Sequence, residues 1–335
     1  MNRFHNSSAA PEYRRDPVTG RWVVIAGGRA SRPIEFSFPE VRRSDQVCPF
    51  CPGNEQATPP TSLEICNPVT GQWQVRIVPN LYPAFCSGGE FNSANSFAWQ
   101  SDQARVSTFG IHEVVIESDR HVSRMTELTD DEVSVVFDAY RTRMQQLSED
   151  PRIAYALLFK NSGVRAGISL EHAHSQLVAL PVVPPEAELE LSVTRDSFLS
   201  QSECVFCQVQ RDSDNRLIEA TDDYVVLCPY ASRFPYEMCI LPRVHEDHFH
   251  QHASMHRLGR FVRRSLERLE RHLPGVSYNL IIHTSPFDSN RYDYYHWHIE
   301  ILPRIATVAG LEWGSGIFVN SVAPEKAAEE LANAL

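Results

Sequence analysis

The feature that most restricts the fold of this chain is a repeated order of cysteines and histidines. A Cys-x-x-Cys pair, a single histidine and a His-x-His triplet follow one another in the first half, and the same features recur in the second half. The interval from His121 to His172 equals the interval from His245 to His296. Because chance is a poor account of this match, we interpret it as an internal duplication and expect two related structural units.

The segments between these residues agree as well. In each half an amphipathic helix is followed by a strand-like run, a short polar loop, the His-x-His triplet and a second strand-like run. Thr129 begins a capping box for the first helix, and Pro274 and Gly275 end the second helix. The first strand-like runs begin at Tyr155 and Tyr278. Hairpin-type strand pairs with a helix on one face favour an α+β fold over a doubly wound sheet.

The chain has 335 residues, which is enough for two domains. We predict two tandem domains, each an antiparallel sheet with a packed helix, over residues 1–190 and 191–335. The boundary falls in the acidic stretch 184–202, which the pattern leaves as either a helix or a linker.

Composition limits the partners of the chain. The formal net charge of −11 disfavours nonspecific binding of nucleic acid, which requires dense lysine and arginine. No run approaches the roughly 18 apolar residues of a membrane span. The first residues lack the apolar core of a secretory signal, so we expect a cytoplasmic location.

The paired cysteines predict metal sites. In a reducing compartment a Cys-x-x-Cys pair is a metal ligand or a redox dithiol more often than a structural disulfide. Both pairs have proline, glycine or polar neighbours, which favours a metal knuckle, and histidines recur at matched spacing. The histidines at positions 248, 250, 252 and 256 are instead interpreted as solvent-facing, with a minor metal role as the alternative for His248. The predicted zinc ligands are Cys48, Cys51, His121 and one histidine of the first triplet, and Cys204, Cys207, His245 and His296.

The histidine of the first triplet that does not bind metal is a candidate nucleophile. Alternate residues of a strand face the same way, so His172 and His174 should lie side by side with Gln176 next in line. One imidazole can complete the zinc site while the other stays free. The preceding loop, 161–170, is rich in small residues that can bring backbone N–H groups to a phosphate. A neutral imidazole beside it could attack phosphorus, and Gln176 could donate to a phosphoryl oxygen without adding charge.

The second triplet predicts a different role for the second half. Two residues beyond His298 stands Glu300, where the first half has Gln176. A carboxylate at that position would repel a phosphate. We therefore expect catalysis in the first half only, with the second zinc serving the structure.

Several segments resemble galactose-1-phosphate uridylyltransferase and its relatives in the histidine-triad superfamily. The resemblance extends from about Arg14 to Ala328. The segments are Asp16–Trp22, Cys48–Glu55, Val78–Pro83, Gly110–Glu117, Ser169–Gln176 and Gly310–Gly316.

The resemblance implies a ping-pong nucleotidyl transfer in a homodimer. His174 would attack the α-phosphate of a nucleotide-sugar, a sugar 1-phosphate would leave, and a second phosphorylated acceptor would take the nucleotide from His174. Its strand neighbour His172 would then be the fourth zinc ligand. The remaining residues implied by position are Gln176 at the phosphoryl oxygens; Asn161, Gly167 and Ser169 in the phosphate loop; Arg29 and Arg32 near the phosphates; Asn80 at the nucleotide; and Glu312 and Gly316 on the sugar side.

The substrate stays open between two types. Hexose-1-phosphate uridylyl transfer from UDP-glucose is the form expected first. The triplet reads His-Ala-His-Ser-Gln rather than His-Pro-His-Gly-Gln, however, which resembles plant-type relatives that act on ADP-glucose with phosphate as acceptor. The second metal site also departs from the bacterial pattern, in which a carboxylate and histidines bind iron. Thiolates favour zinc there, with another transition metal as the alternative.

Two other classes of function compete with transfer. A catalytically silent protein built on two zinc knuckles would bind nucleotides without forming an adduct. A nucleotide hydrolase, as among the smaller histidine-triad proteins, would usually carry a third histidine where this chain has Gln176. An amide cannot easily donate a proton to a leaving group, which favours transfer over hydrolysis.

Overall fold

The computed structural model describes residues 10–31, 47–88, 109–288 and 290–335. The strands are β1 (Glu12–Arg15), β2 (Trp22–Ile25), β3 (Leu63–Cys66), β4 (Trp73–Pro79), β5 (Ile111–Ile116), β6 (Tyr155–Ser162), β7 (His174–Leu180), β8 (Leu217–Ala220), β9 (Tyr224–Leu227), β10 (Met238–Pro242), β11 (Tyr278–His283), β12 (His298–Pro303) and β13 (Phe318–Asn320). The α-helices are α1 (Asp130–Ser148), α2 (Pro185–Gln201), α3 (Val205–Arg211), α4 (Met255–His272), α5 (Gly310–Ser315) and α6 (Pro324–Ala332).

A ten-stranded sheet forms the centre of the fold, in the order β3-β4-β5-β7-β6-β11-β12-β10-β9-β8. Its two halves have the same internal order, because the second half read from its outer edge is β8-β9-β10-β12-β11. The halves meet where β6 and β11 pair antiparallel, with Phe159 opposite Ile281. The predicted duplication and the α+β class are thus confirmed. We call the unit from Cys48 to Leu180 the first repeat and the unit from Cys204 to Pro303 the second repeat.

Helices α1 and α4 pack on each other and on the ten-stranded sheet. Helix α1 begins at the predicted capping box, in which the Thr129 hydroxyl accepts the N–H of Glu132 and the Glu132 carboxylate accepts the N–H of Thr129. Gly259 of α4 allows close approach, since a Cβ there would lie 3.1 Å from the carbonyl oxygen of Val133. The apolar faces of both helices join one continuous core, and that core holds the two repeats together.

The stretch between the repeats is a helix rather than a linker. Helix α2 spans Pro185–Gln201 and begins with proline, which suits the first turn of a helix. The division into domains at residues 190 and 191 stays a prediction. Outside the main sheet, β13 pairs parallel with β2, which pairs antiparallel with β1. Among the described residues, no helix combines the length and apolar character needed to cross a membrane.

Candidate functional site

The first triplet lies where β7 begins, in the interior of the large sheet. His174 pairs with Ile116 of β5, and Gln176 lies between Val114 of β5 and Phe159 of β6. Side chains alternate along a strand, so those of His174 and Gln176 project from the same face. Ser175 points to the opposite face, where it contacts helix α1. The side of the sheet not covered by α1 therefore carries the candidate nucleophile.

The imidazole of His174 is held in one tautomer. Its Nδ1 lies 2.7 Å from the backbone carbonyl of His172, which can only accept, so Nδ1 carries the proton and Nε2 keeps its lone pair. The side chain is 5% exposed. Burial, aided by the charge of Lys160, lowers the pKa of His174 below its usual value. A neutral imidazole with an unprotonated Nε2 is the form that can attack phosphorus.

An ion pair lies behind this histidine, on the face covered by α1. The ammonium of Lys160 donates to Glu117 at 2.6 Å and to the backbone carbonyl of His174 at 3.1 Å. Glu117 also accepts the hydroxyls of Tyr140 and Ser175. Burial opposes the charge of Glu117, but these partners lower its pKa below the usual value. This cluster was not predicted from the sequence, although a lysine and a glutamate that end two apolar strand runs are a signal for it.

The loop after β6, which is the predicted phosphate loop, contains two glycines with positive φ. Gly163 and Gly167 have φ of 82° and 88°, a left-handed region that glycine enters without strain. Gly167 and Ser169 are exposed, whereas Asn161 is partly buried at the end of β6. Gly167 lies next to Asn161, since a Cβ on Gly167 would be 4.0 Å from Nδ2 of Asn161. That these residues and Ser169 bind phosphate stays a prediction. Asn80 follows β4, two strands away from β7, and its backbone N–H bonds to the carbonyl of His112 on β5.

The first Cys/His group fits a metal ion. One ligand atom from each of Cys48, Cys51, His121 and His172 lies within 4.8 Å of the others. Nδ1 of His172 faces both thiols, at 3.6 and 3.7 Å, while its Nε2 lies 2.9 Å from the carbonyl of Ser118. That carbonyl holds the Nε2 proton and leaves Nδ1 unprotonated toward the thiols, as is usual for metal-binding histidines. The thiols are free cysteines.

The second Cys/His group has equivalent geometry. Ligand atoms of Cys204, Cys207, His245 and His296 also lie within 4.8 Å of one another. Burial, with the neighbouring His245, lowers the pKa of His296 to about 3, and burial raises the pKa of Cys204 to about 12. Neutral imidazoles are ready ligands, and a cation would offset the cost of buried thiolates. Cys204 occupies the N-cap position of α3, so this Cys-x-x-Cys pair lies at the start of a helix.

The position equivalent to Gln176 in the second repeat is enclosed by charged groups. Glu300 pairs with Ile281 on β11 as Gln176 pairs with Phe159 on β6. Its carboxylate contacts Arg233 at 2.6 Å and His283 at 3.3 Å. Although burial favours the protonated acid, Arg233 and His283 hold the pKa of Glu300 well below its usual range. This carboxylate is thus paired with internal cations. That the second repeat is not catalytic stays a prediction.

A third cluster in the second repeat was not predicted. Glu190 of α2, His283 and His298 are buried, and their ligand atoms lie within 4.8 Å of one another. Burial opposes a charge on His283, but Glu190 and Glu300 raise its pKa to about 10. Metal binding here would require His283 to lose that proton. The cluster could not be found by spacing, because α2 supplies one member from outside the repeated pattern.

Other predicted residues lie apart from this group or outside the described residues. Arg29 is exposed in the turn Gly27–Ser31, and Arg32 lies outside the described residues. Glu312 accepts the backbone N–H of Ala309 and so caps α5, while Gly316 ends that helix with φ of 71°. Among the described residues, none of the hydrogen bonds of Glu312 reaches the strands around His174.

One interpretation of the remaining histidines was wrong. His248, His250 and His252 are 5 to 8% exposed rather than solvent-facing, whereas His256 is exposed as expected. His252 is held between Glu246 and the hydroxyl of Tyr224, both at 2.6 Å. The turn that precedes α4 packs inward, which the spacing of these residues did not indicate.

Comparison with known proteins agrees with this geometry. Residues 2–184 match the family model of the galactose-1-phosphate uridyl transferase N-terminal domain, and residues 103–335 match a domain of unknown function. ADP-glucose phosphorylase of Arabidopsis thaliana is 34% identical over 96% of this chain and 92% of its own length. Galactose-1-phosphate uridylyltransferase of Thermotoga maritima is 24% identical over 96% of this chain and 97% of its own length.

A solved structure is also similar to this chain over nearly its whole length. The crystal structure of the Arabidopsis thaliana ADP-glucose phosphorylase with bound ADP-glucose has a TM-score of 0.86 and 33% identity, and the match covers 97% of this chain and 99% of that one. With a family model that covers more than half of the residues and a relative above 30% identity, the chain belongs to the galactose-1-phosphate uridyl transferase family of nucleotidyltransferases.

Proposed function

We propose that this chain transfers a nucleotidyl group from a nucleotide-sugar to a phosphorylated acceptor through a covalent intermediate on His174. The observation that carries the proposal is the bond from His174 Nδ1 to the carbonyl of His172, because it leaves Nε2 unprotonated in a neutral imidazole. Nε2 attacks the α-phosphorus, and the bond from that phosphorus to the bridging oxygen breaks. The sugar 1-phosphate departs with the bonding electrons.

The second half of the reaction regenerates the free imidazole. An oxygen of the acceptor phosphate attacks the same phosphorus, and the bond between phosphorus and Nε2 breaks. His174 leaves as the neutral base it was before, so no net proton is taken up by the protein. The Gln176 amide can donate hydrogen bonds but is too weak an acid to protonate a leaving group, which supports transfer to an acceptor rather than hydrolysis.

We assign ADP-glucose as the donor and inorganic phosphate as the acceptor. The relative of that activity shares 34% identity over nearly the whole chain, against 24% for the bacterial uridylyltransferase. The triplet His-Ala-His-Ser-Gln, which resembles the plant-type relatives, supports the same assignment. The products would be ADP and glucose 1-phosphate.

Uridylyl transfer between UDP-glucose and a hexose 1-phosphate is the second candidate. The family model that matches residues 2–184 and the Thermotoga maritima relative favour it. Both reactions use the same imidazole and differ in the nucleobase and the acceptor. We expect a homodimer in either case, as the family resemblance implies.

The two Cys/His groups would hold zinc for structure in this proposal. Cys48, Cys51, His121 and His172 would fix the strand end that precedes His174, and Cys204, Cys207, His245 and His296 would do the same in the second repeat. Zinc bound there would lock the ligands together and so add folding free energy. Nucleotidyl transfer is carried by His174 rather than by the metal.

Mass spectrometry of the intact protein tests the proposal. The protein is mixed separately with ADP-glucose and with UDP-glucose, without an acceptor, and the mass of the chain is measured. We expect an adenylyl adduct with ADP-glucose that disappears when phosphate is added. A uridylyl adduct alone would support the second candidate, and the absence of any adduct would leave the silent nucleotide-binding protein as the better description.

A further inference from the structure

We infer that His112 and Asn279 are positioning residues that hold the amides of Gln176 and Asn161 with their NH2 groups toward the phosphate. The inference rests on the proposed function, since it concerns the phosphate that His174 attacks. A side-chain amide has a donor end and an acceptor end, and only the donor end can bind an anionic oxygen. The contacts behind each amide therefore decide whether it attracts or repels the substrate.

His112 on β5 fixes the orientation of Gln176. The backbone N–H of Ala84 donates to Nδ1 of His112 at 3.1 Å, so Nδ1 is the unprotonated nitrogen of the neutral ring. The proton must then lie on Nε2, which is 2.8 Å from Oε1 of Gln176. Because the carbonyl oxygen of Gln176 accepts this bond, its NH2 group is left for the substrate.

Asn80 is arranged in the same way on the other side of His112. Its Oδ1 accepts the backbone N–H of Tyr82 at 2.9 Å, so the NH2 end of the amide is the end nearer to His112. That NH2 lies 3.2 Å from Nε2 of His112, farther than the oxygen of Gln176. The shorter contact, together with the bond from Ala84, assigns the Nε2 proton to Gln176 and leaves the Asn80 amide as a donor for substrate.

Asn279 on β11 fixes the orientation of Asn161. Its Nδ2 donates to Oδ1 of Asn161 at 2.7 Å and to the backbone carbonyl of Ala166 at 3.0 Å. Its own oxygen accepts from Nε of Arg304, so the Asn279 amide cannot turn over without losing these bonds. With Oδ1 occupied, Asn161 presents its NH2 to the loop. Asn279 is 8% exposed and belongs to the second repeat, which thereby supports the site of the first.

These contacts make a set of neutral donors that need no rearrangement during the reaction. Preorganised donors stabilise the charge that develops on phosphoryl oxygens, and loss of a single such donor typically lowers kcat by a factor on the order of 100 to 1,000. An amide turned over would instead aim a carbonyl oxygen at the phosphate. Removing the residue that holds the amide should therefore lower the rate without removing the amide itself.

A double-mutant cycle tests the contact between His112 and Gln176. Nucleotidyl transfer is measured for His112→Phe, for His112→Gln, and for His112→Phe combined with Gln176→Ala. Phenylalanine keeps an aromatic ring but loses both nitrogens, whereas glutamine can still donate to Gln176. We expect His112→Phe to lower kcat by about 10- to 100-fold with a smaller change in KM, and His112→Gln to retain most of the activity.

In the Gln176→Ala background, His112→Phe should have little further effect, because the amide that it positions is gone. An equal loss in both backgrounds, or full activity of His112→Phe, would overturn the inference. Thermal unfolding of each variant is followed in parallel, so that a merely structural role would appear as a lowered midpoint shared by both backgrounds. The wild-type adduct is measured first, because its absence would count against the proposed function and not against this positioning role.

The isosteric change Asn279→Asp tests the contact between Asn279 and Asn161. An aspartate would accept from the NH2 of Asn161 and so favour the opposite orientation of that amide, while it could still pair with Arg304. We expect a drop in kcat of about tenfold or more, and no further drop once Asn161 is alanine. The bond to the Ala166 carbonyl is lost in both backgrounds, so any fall in the unfolding midpoint should be the same in each. If Asn279→Asp transfers at the wild-type rate, or slows equally when Asn161 is alanine, Asn279 does not act through Asn161. Asn279→Ser lacks the carboxylate, and its kcat should lie between that of the wild type and that of Asn279→Asp.

Discussion

Lys160 lies beneath His174, with its ammonium 3.1 Å from the histidine's backbone carbonyl and 2.6 Å from the Glu117 carboxylate. The equivalent positions of the second repeat hold Ile282 and Pro242, as the strand registers show. The fold itself therefore does not require an ion pair here. The ion pair occurs in the repeat that carries the candidate nucleophile. There Lys160 holds the backbone at His174, and its positive charge disfavours protonation of the imidazole.

The first prediction concerns this ion pair. Lys160→Met should leave the Glu117 carboxylate buried without its cation, and we expect the free energy of unfolding at pH 7 to fall by about 3–5 kcal/mol. Chemical denaturation measures the change. The matched control is Lys160→Met with Glu117→Gln, which removes both charges and should recover most of the stability. Equal losses in the single and double variants would show that the charge of Glu117 is not the cause.

The second prediction concerns the pH dependence of stability that this pair produces. Because the pKa of Glu117 is lowered in the folded protein, its contribution to stability is present above the unfolded value of about 4.3 and is lost as pH falls through the folded value. We expect Glu117→Gln combined with Lys160→Met to flatten the acid limb of the stability curve. Denaturation midpoints between about pH 3 and pH 7 measure it. If the double variant has the same acid limb as the wild type, carboxylates other than Glu117 cause the loss of stability in acid.

Much of the architecture could be predicted because the signals are local or periodic. The duplication, the capping box at Thr129 and the second Cys/His group follow from spacing, and so does the first group except for the choice of His172, which comes from the family resemblance. The structure brings each group together. The positioning contacts could not be predicted. His112 meets Gln176 only through the pairing of β5 with β7, and Asn279 meets Asn161 only through the pairing of β11 with β6.

Strand register also limited the comparison of the two repeats. When the two strand runs are aligned by sequence from Tyr155 and Tyr278, Asn161 is equivalent to Thr284. The observed pairing, with Phe159 opposite Gln176 and Ile281 opposite Glu300, makes Asn161 equivalent to His283 instead. Because side chains alternate along a strand, this shift of one residue moves a position to the other face of the sheet. The sequence alignment therefore did not show that His283 pairs with His298, and the third member of the cluster, Glu190, comes from α2 outside the repeated pattern.

The third prediction concerns the nucleophile. His174→Ala should abolish both turnover and the nucleotidyl adduct, because no other group replaces the unprotonated Nε2. His298→Ala changes the equivalent histidine of the second repeat and should leave adduct formation by the folded protein intact. Intact mass and steady-state rates measure both variants. Near-normal turnover of His174→Ala, or an adduct lost only in His298→Ala, would refute the assignment.

The fourth prediction concerns the metals. We expect about two zinc ions per chain in the wild type, and His172→Ala or Cys51→Ala should release about one of them. Either variant should also lower the unfolding midpoint, since structural zinc contributes to folding. Cys207→Ala is the matched variant in the second repeat and should release the other ion. Elemental analysis of purified protein gives the count, and two zinc ions retained in any of these variants would contradict the ligand assignment.

The fifth prediction concerns the charge beside the phosphate. Gln176→Glu reproduces in the first repeat the residue found at the equivalent position of the second, but without the Arg233 that neutralises Glu300 there. A carboxylate in place of the amide would face the α-phosphate as a like charge and would accept the proton of His112 Nε2. We expect kcat to fall by about 100-fold or more at neutral pH, with part of the activity restored at lower pH as the carboxylate is protonated. Rates from pH 5 to pH 8 test this, with Gln176→Ala as the uncharged control. A rate for Gln176→Glu equal to that of the wild type would mean that this side chain does not face the phosphate.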